Sequence, residues 1–97
     1  MIRSAESAAA RQIFSALADQ TRCELLEALA EHHGQSASNL AQPMRMSRQA
    51  VARHLRVLES AGLVLRSRVG KEVVFEIRRV GLEPADRYLD MLQAGKE

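Results

Sequence analysis

Hydrophobicity changes period at Ala61-Gly62, from helical spacing to alternation, and that change limits what the flanking segments can become. On the N-terminal side, Ser47 to Ser60 runs without Gly or Pro. At about 100° per residue, Leu55 and Leu58 fall within about 40° of Val51, while Gln49, Arg53, Arg56 and Ser60 cluster about 140° to 200° away. The spacing predicts a helix with one buried side and one arginine-bearing side, and the Ser47 hydroxyl is placed to cap it. On the C-terminal side the period is two, which is the spacing of strands.

Those strands predict a hairpin. Leu63, Leu65 and Ser67 alternate with Val64, Arg66 and Arg68, and Val73, Phe75 and Ile77 alternate with Glu72, Val74 and Glu76. A two-residue Gly70-Lys71 loop would pair Leu65 with Glu76. A three-residue loop, Val69-Gly70-Lys71, pairs Leu65 with Phe75 and Leu63 with Ile77, so parity favours an odd loop, lengthening to five if the tip frays. That register also sets Arg68 opposite Glu72 on the outer face, with Lys71 at the tip.

Upstream, Ala10, Ile13, Phe14 and Leu17 recur at helical spacing within residues 4 to 17. Asp19 is placed to cap a second helix from Gln20 to Ala30, with Cys23, Leu25, Leu26, Leu29 and Ala30 inward and Gly34 beyond its end. Ser36 or Ser38 can cap a short third helix through Leu40 and Ala41, which Pro43 ends or kinks. A short helix, a tight turn and a longer helix with a basic outer face form a helix-turn-helix, whose second helix fits a major groove about 12 Å wide. The hairpin after it is a wing.

Charge agrees with this reading. Between Pro43 and Lys71 the basic residues are Arg45, Arg48, Arg53, Arg56, Arg66, Arg68 and Lys71, against Glu59 alone. The remainder carries seven basic residues against eleven acids, so the chain is polarised even though its net charge is only +2. The natural partner of such a surface is a polyanion. Aromatic residues make up 3% of the chain, which demotes an all-β sandwich, and 97 residues suffice for one core. No apolar run approaches the roughly 20 residues of a membrane span, the first residues lack a secretory pattern, and a lone cysteine suits a reducing compartment; the expected location is the cytoplasm.

Several separated blocks match a known pattern in order and spacing: Ala16-Leu17-Ala18-Asp19-Gln20-Thr21-Arg22, then Leu40-Ala41, then the run from Met46-Ser47-Arg48-Gln49-Ala50-Val51 through His54-Leu55-Arg56-Val57-Leu58-Glu59-Ser60-Ala61-Gly62-Leu63-Val64. Over about residues 10 to 78 the chain closely resembles the ArsR family of winged-helix transcriptional regulators. The resemblance implies a homodimer paired through its first and last helices, seated on a roughly palindromic operator, and repressing transcription. The last helix would run from Pro84 to Ala94, where Ala85, Tyr88, Leu89 and Leu92 form a stripe too wide for a small core to absorb. With Ile13 and Phe14 of the first helix, Tyr88, Leu89 and Leu92 are the expected dimerisation residues.

Departures from the family pattern bear on its usual metal sites. Gln20 replaces the proline that commonly follows Ala-Asp, at a first-turn position that tolerates either residue. Ser36 and Ser38 stand where metal-sensing members carry a Cys-x-Cys pair, and neutral hydroxyls do not replace thiolates toward soft metals. The last helix offers Glu83, Asp86 and Asp90, but no His follows His54. No metal site and no cofactor are therefore expected. His32 and His33 read as a solvated helix end, and Cys23 as a packed thiol rather than a redox sensor. No nucleophilic triad or phosphate-cradling glycine loop is present, which argues against an enzyme.

The expectation is thus a single mostly α, α+β domain over 1–97, four helices, a hairpin wing and a fifth helix, acting on double-stranded DNA. A winged-helix module that binds protein or RNA is the alternative. Arg48, Gln49, Ala52 and Arg53, following Ser47, should approach base edges, while Arg56, Arg66, Arg68 and Lys71 should neutralise phosphates. His54, at the edge of the buried stripe, either reaches DNA or is half-buried and hydrogen-bonded. Expected partners are an operator duplex, a second copy of the chain and an effector, a small molecule or a protein.

Overall fold

A computed structural model describes residues 4–95. The order is α1 (Ser4–Leu17), α2 (Gln20–Glu31), α3 (Ala37–Met44), α4 (Arg48–Ser60), β1 (Val64–Val69), β2 (Glu72–Ile77), a short 3-10 turn (Arg79–Leu82) and α5 (Glu83–Ala94). This is the winged helix-turn-helix architecture that the two hydrophobic periods imply.

The helix starts follow from their caps. The Asp19 carboxylate accepts from the Arg22 backbone N–H at 3.0 Å, Ser36 Oγ from Asn39 at 3.1 Å and Ser47 Oγ from Ala50 at 3.1 Å, each meeting a donor that the first turn leaves open. Pro43 does not end α3. It lies inside the helix, which runs one residue further to Met44 before Arg45 turns the chain at φ 56°. Only three residues, Arg45, Met46 and Ser47, separate α3 from α4.

The core is aliphatic and continuous. Ile13 from α1, Leu25 and Leu29 from α2, Leu40 from α3, Val51, Leu55 and Leu58 from α4, and Leu63, Val64 and Phe75 from the hairpin all join it. The three residues assigned inward on α4 are fully buried. Phe14 meets Tyr88 edge-on, with ring centroids 5.8 Å apart, which ties α1 to α5.

The hairpin register differs from the expectation. The loop has two residues, Gly70 and Lys71: Val69 pairs with Glu72, Arg68 with Val73, Arg66 with Phe75 and Leu65 with Glu76. Gly70 takes φ 62° at the first loop position, which suits a type II′ turn and matches strand twist. Parity does not set this register, because the core does not lie beside the whole hairpin. On β1 only Val64 is buried, and Leu65 is 52% exposed, so nothing holds Leu65 to the inner face. On β2, Val74 and Phe75 are both buried, and the Gln35 backbone pairs with Phe75 along the strand's other edge through bonds of 3.1 and 2.8 Å.

At its base the wing is anchored by backbone. Arg78 N–H donates to the Leu63 carbonyl at 2.8 Å, and the Arg78 guanidinium donates to the Gly62 carbonyl at 3.2 Å. Gly81, in the 3-10 turn that the periodicity did not reveal, packs so closely on Gly62 that a Cβ there would collide with the Gly62 carbonyl oxygen. Among the described residues no helix is long and apolar enough to cross a membrane.

Candidate nucleic-acid interface

Burial of Val51, Leu55 and Leu58 fixes how α4 is rotated, and the rotation leaves Arg48, Gln49, Arg53 and Arg56 exposed with Ala52 half-buried between them. Ser47 caps the end of α4 that starts this face. The N-terminal end of a recognition helix is the part that meets base edges in the major groove, and this one offers a guanidinium, an amide and a small side chain there.

The two-residue turn has a consequence for the wing. Since Arg66 pairs with Phe75 and Arg68 with Val73, both arginines share the strand face of Phe75 rather than pointing away from it. Arg66, Val73, Phe75, Glu72 and Lys71 line one wall of an open groove of about 440 Å³, whose other walls are Arg48 and Ala52 of α4 and Ser36 to Asn39 at the start of α3. Arg48, Arg66 and Lys71 therefore converge on one groove from two elements. Arg66 Nε also lies 3.5 Å from Glu59 on α4, an exposed pair worth little by itself that links wing to helix.

Ser38 and Asn39 are groove residues that the sequence reading did not assign to DNA. Ser36 does the capping and leaves Ser38 exposed in the first turn of α3, beside the three basic side chains. A serine two residues past a cap is the signal that could have found it. On the opposite flank of α4, Arg53 and Arg56 border a second groove, of about 360 Å³, against Gln12, Ser15 and Ala16 of α1.

His54 is half-buried and engaged. Its Nδ1 lies 3.4 Å from Arg22 Nη1 and 3.9 Å from Asp19 Oδ2, which draws it toward the α1–α2 junction instead of the exposed face. Arg68 and Lys71 are exposed on the wing. Among the expected dimerisation residues, Ile13 is only 2% exposed and belongs to the chain's own core, because α1 turns that position toward α2 and α4. Phe14 and Tyr88 are half-buried against each other, whereas Leu89 and Leu92 are about half exposed; Leu82 borders a recess with Phe14 and Leu89.

Ser36 Oγ is occupied as a helix cap, and Cys23 Sγ donates to the Leu17 carbonyl at 3.1 Å. His32 and His33 are exposed. Among the described residues no group of three or more His, Cys, Asp or Glu side chains is assembled to hold a metal ion.

Comparison with known proteins reaches the same region. A family model described as a helix-turn-helix domain matches residues 17–67. A protein of Synechocystis sp. named as a transcriptional repressor SmtB homolog is 41% identical over 66 residues, which is 68% of this chain and 49% of that protein, so the chain spans about half the length of that relative. The HTH-type transcriptional regulator Rv2034 of Mycobacterium tuberculosis is 38% identical over 77 residues, covering 79% of this chain and 71% of the relative. The solved structure of an ArsR-like transcriptional regulator from Rhodococcus sp. RHA1 superposes with a TM-score of 0.81 at 39% identity, over 91% of this chain and 82% of that one.

Proposed function

The chain belongs to the ArsR family of winged helix-turn-helix transcriptional regulators, and on that premise we propose that it represses transcription as a homodimer seated on a roughly palindromic operator. Membership makes it a DNA-binding regulator and not an enzyme. The observation that carries the finer reading is the convergence of Arg48 with Arg66 and Lys71 on the groove between wing and recognition helix, beside the outward Gln49 and Arg53. That spacing suits a DNA strand: phosphates run between the two basic walls while the helix enters the adjoining major groove.

In this reading Arg48 or Arg53 takes a guanine edge, Gln49 takes an adenine edge, and Ala52 leaves room for a thymine methyl. Arg56, Arg66, Arg68 and Lys71 neutralise phosphates, with Ser38 and Asn39 added to that set. The whole of 1–97 acts as one cytoplasmic domain. Leu89 and Leu92 of α5, with Phe14 and Tyr88, form the seam between two copies, because apolar side chains this exposed at one end of a small fold favour association. The name of the cyanobacterial relative supports repression. Ser36 and Ser38 in place of thiolates support an effector other than a metal at that position, either an organic molecule or a partner protein.

The test is a mobility-shift titration on duplex from the protein's own promoter, run as a salt series beside a random duplex of equal length, with sedimentation of the free protein. The expected result is a dimer that prefers the promoter and protects half-sites about 34 Å apart. Equal binding to both duplexes, or a monomer that keeps full sequence preference, would overturn it.

A further inference from the structure

Arg22 is the one described side chain whose guanidinium reaches both the end of α1 and the recognition helix. Its Nε donates to the Ala16 carbonyl at 2.6 Å and its Nη2 to the Ser15 carbonyl at 3.4 Å, both at the C-terminal end of α1, where carbonyls lack helical partners. Its Nη1 faces His54 Nδ1 on α4 at 3.4 Å. The planar guanidinium presents these donors in a fixed fork, so the three contacts set α4 against α1 in one arrangement. A recess beside them, lined by Arg22, Ala50, Arg53, His54 and Val57, puts Arg53 next to this tie.

We propose that Arg22 is a positioning residue for DNA recognition: through His54 it holds α4 at the angle from which Arg53 and Gln49 read bases. The inference rests on the operator-reading function proposed above. A guanidinium has no acceptor, so the contact requires the imidazole nitrogen to accept. The Asp19 carboxylate lies 3.9 Å from the same nitrogen.

Charge strengthens binding to any duplex, so affinity alone is a poor readout. The ratio of operator to random-duplex affinity separates base reading from charge. The experiment selects a preferred duplex from a random-sequence pool with the wild-type chain, then measures that ratio for wild type, Arg22→Lys and His54→Asn. Arg22→Lys keeps the charge but loses the fork, and its ratio is expected to fall about tenfold. His54→Asn places a carbonyl acceptor near the Nδ1 position, so its ratio should stay close to that of wild type.

Thermal melting of each variant guards against a purely structural effect, which lowers affinity for both duplexes equally and leaves the ratio unchanged. A pool that yields no preferred sequence would overturn the operator-reading function itself and this inference with it. A preferred sequence whose ratio does not respond to Arg22→Lys would overturn the positioning role alone.

Discussion

The recognition helix and the wing both carry exposed basic side chains, but they are held in different ways. Helix α4 is fastened by Val51, Leu55 and Leu58, all fully buried, and by Ser47 at its cap. On the wing, β1 leaves the core after Val64, and Leu65 and Val69 stand in solvent at 52% and 64% exposure. Side chains that must meet individual base edges need the first kind of support, since a bidentate contact tolerates little displacement. Phosphate neutralisation acts over a Debye length and tolerates the second. The contrast assigns sequence reading to the helix and sequence-independent grip to the wing.

The largest expected effect comes from removing the helix's fastening. Leu55→Ala empties a fully buried site and should cost about 2 to 5 kcal/mol of stability, read from the midpoint of a urea unfolding curve. Leu65→Ala on the wing should change stability by less than about 0.5 kcal/mol. Equal losses would erase the contrast, for they would mean that the wing is as tightly built as the helix.

Gly81→Ala tests the wing's anchorage. The added Cβ meets the Gly62 backbone, which has no rotamer by which to move aside, so the base of the hairpin must shift. A loss of about 1 to 3 kcal/mol is expected from overpacking, again by urea unfolding.

How much of this was legible in sequence follows the same division. The Val51, Leu55 and Leu58 stripe and the Asp19 and Ser47 caps depend on neighbours within a turn or two, so local sequence states them directly, while the α3 cap stays open between Ser36 and Ser38. The hairpin register is not legible from alternation, which reports a face only where a core buries it; on β1 nothing beyond Val64 is buried, and on β2 the buried pair Val74 and Phe75 are neighbours rather than alternate residues. Ile13 and Phe14 are adjacent apolar residues on one helix; which of them faces the chain's own core depends on how α1 crosses α2 and α4, and no local pattern carries that. Arg22 was hidden for a related reason. Its guanidinium partners lie six or more residues away, at Ala16, Ser15 and His54, and only the packed fold brings them together.

Within the interface, Arg53→Ala should cost about 1 to 3 kcal/mol of discrimination at one base pair, seen as a relaxed preference when single-base variants of the operator are compared in competition. A uniform loss across all variants would move Arg53 into the phosphate-gripping set and break the assignment of reading to the helix.

The smallest effect belongs to Arg68→Ala, and its form matters more than its size. Arg68 pairs with Val73 near the tip of the wing, on the face it shares with Arg66 and Phe75. Unlike Arg66, which has Glu59 beside it, Arg68 stands exposed on a strand with no buried residue near the tip. A contact of this kind releases counterions without testing sequence. Its loss should weaken operator and random duplex in the same proportion and reduce the slope of log K against log salt by about 0.9, the contribution of one phosphate. Should the slope stay constant while base preference changes, the wing would be a reader in its own right, and the looseness of its attachment would no longer predict what its arginines do.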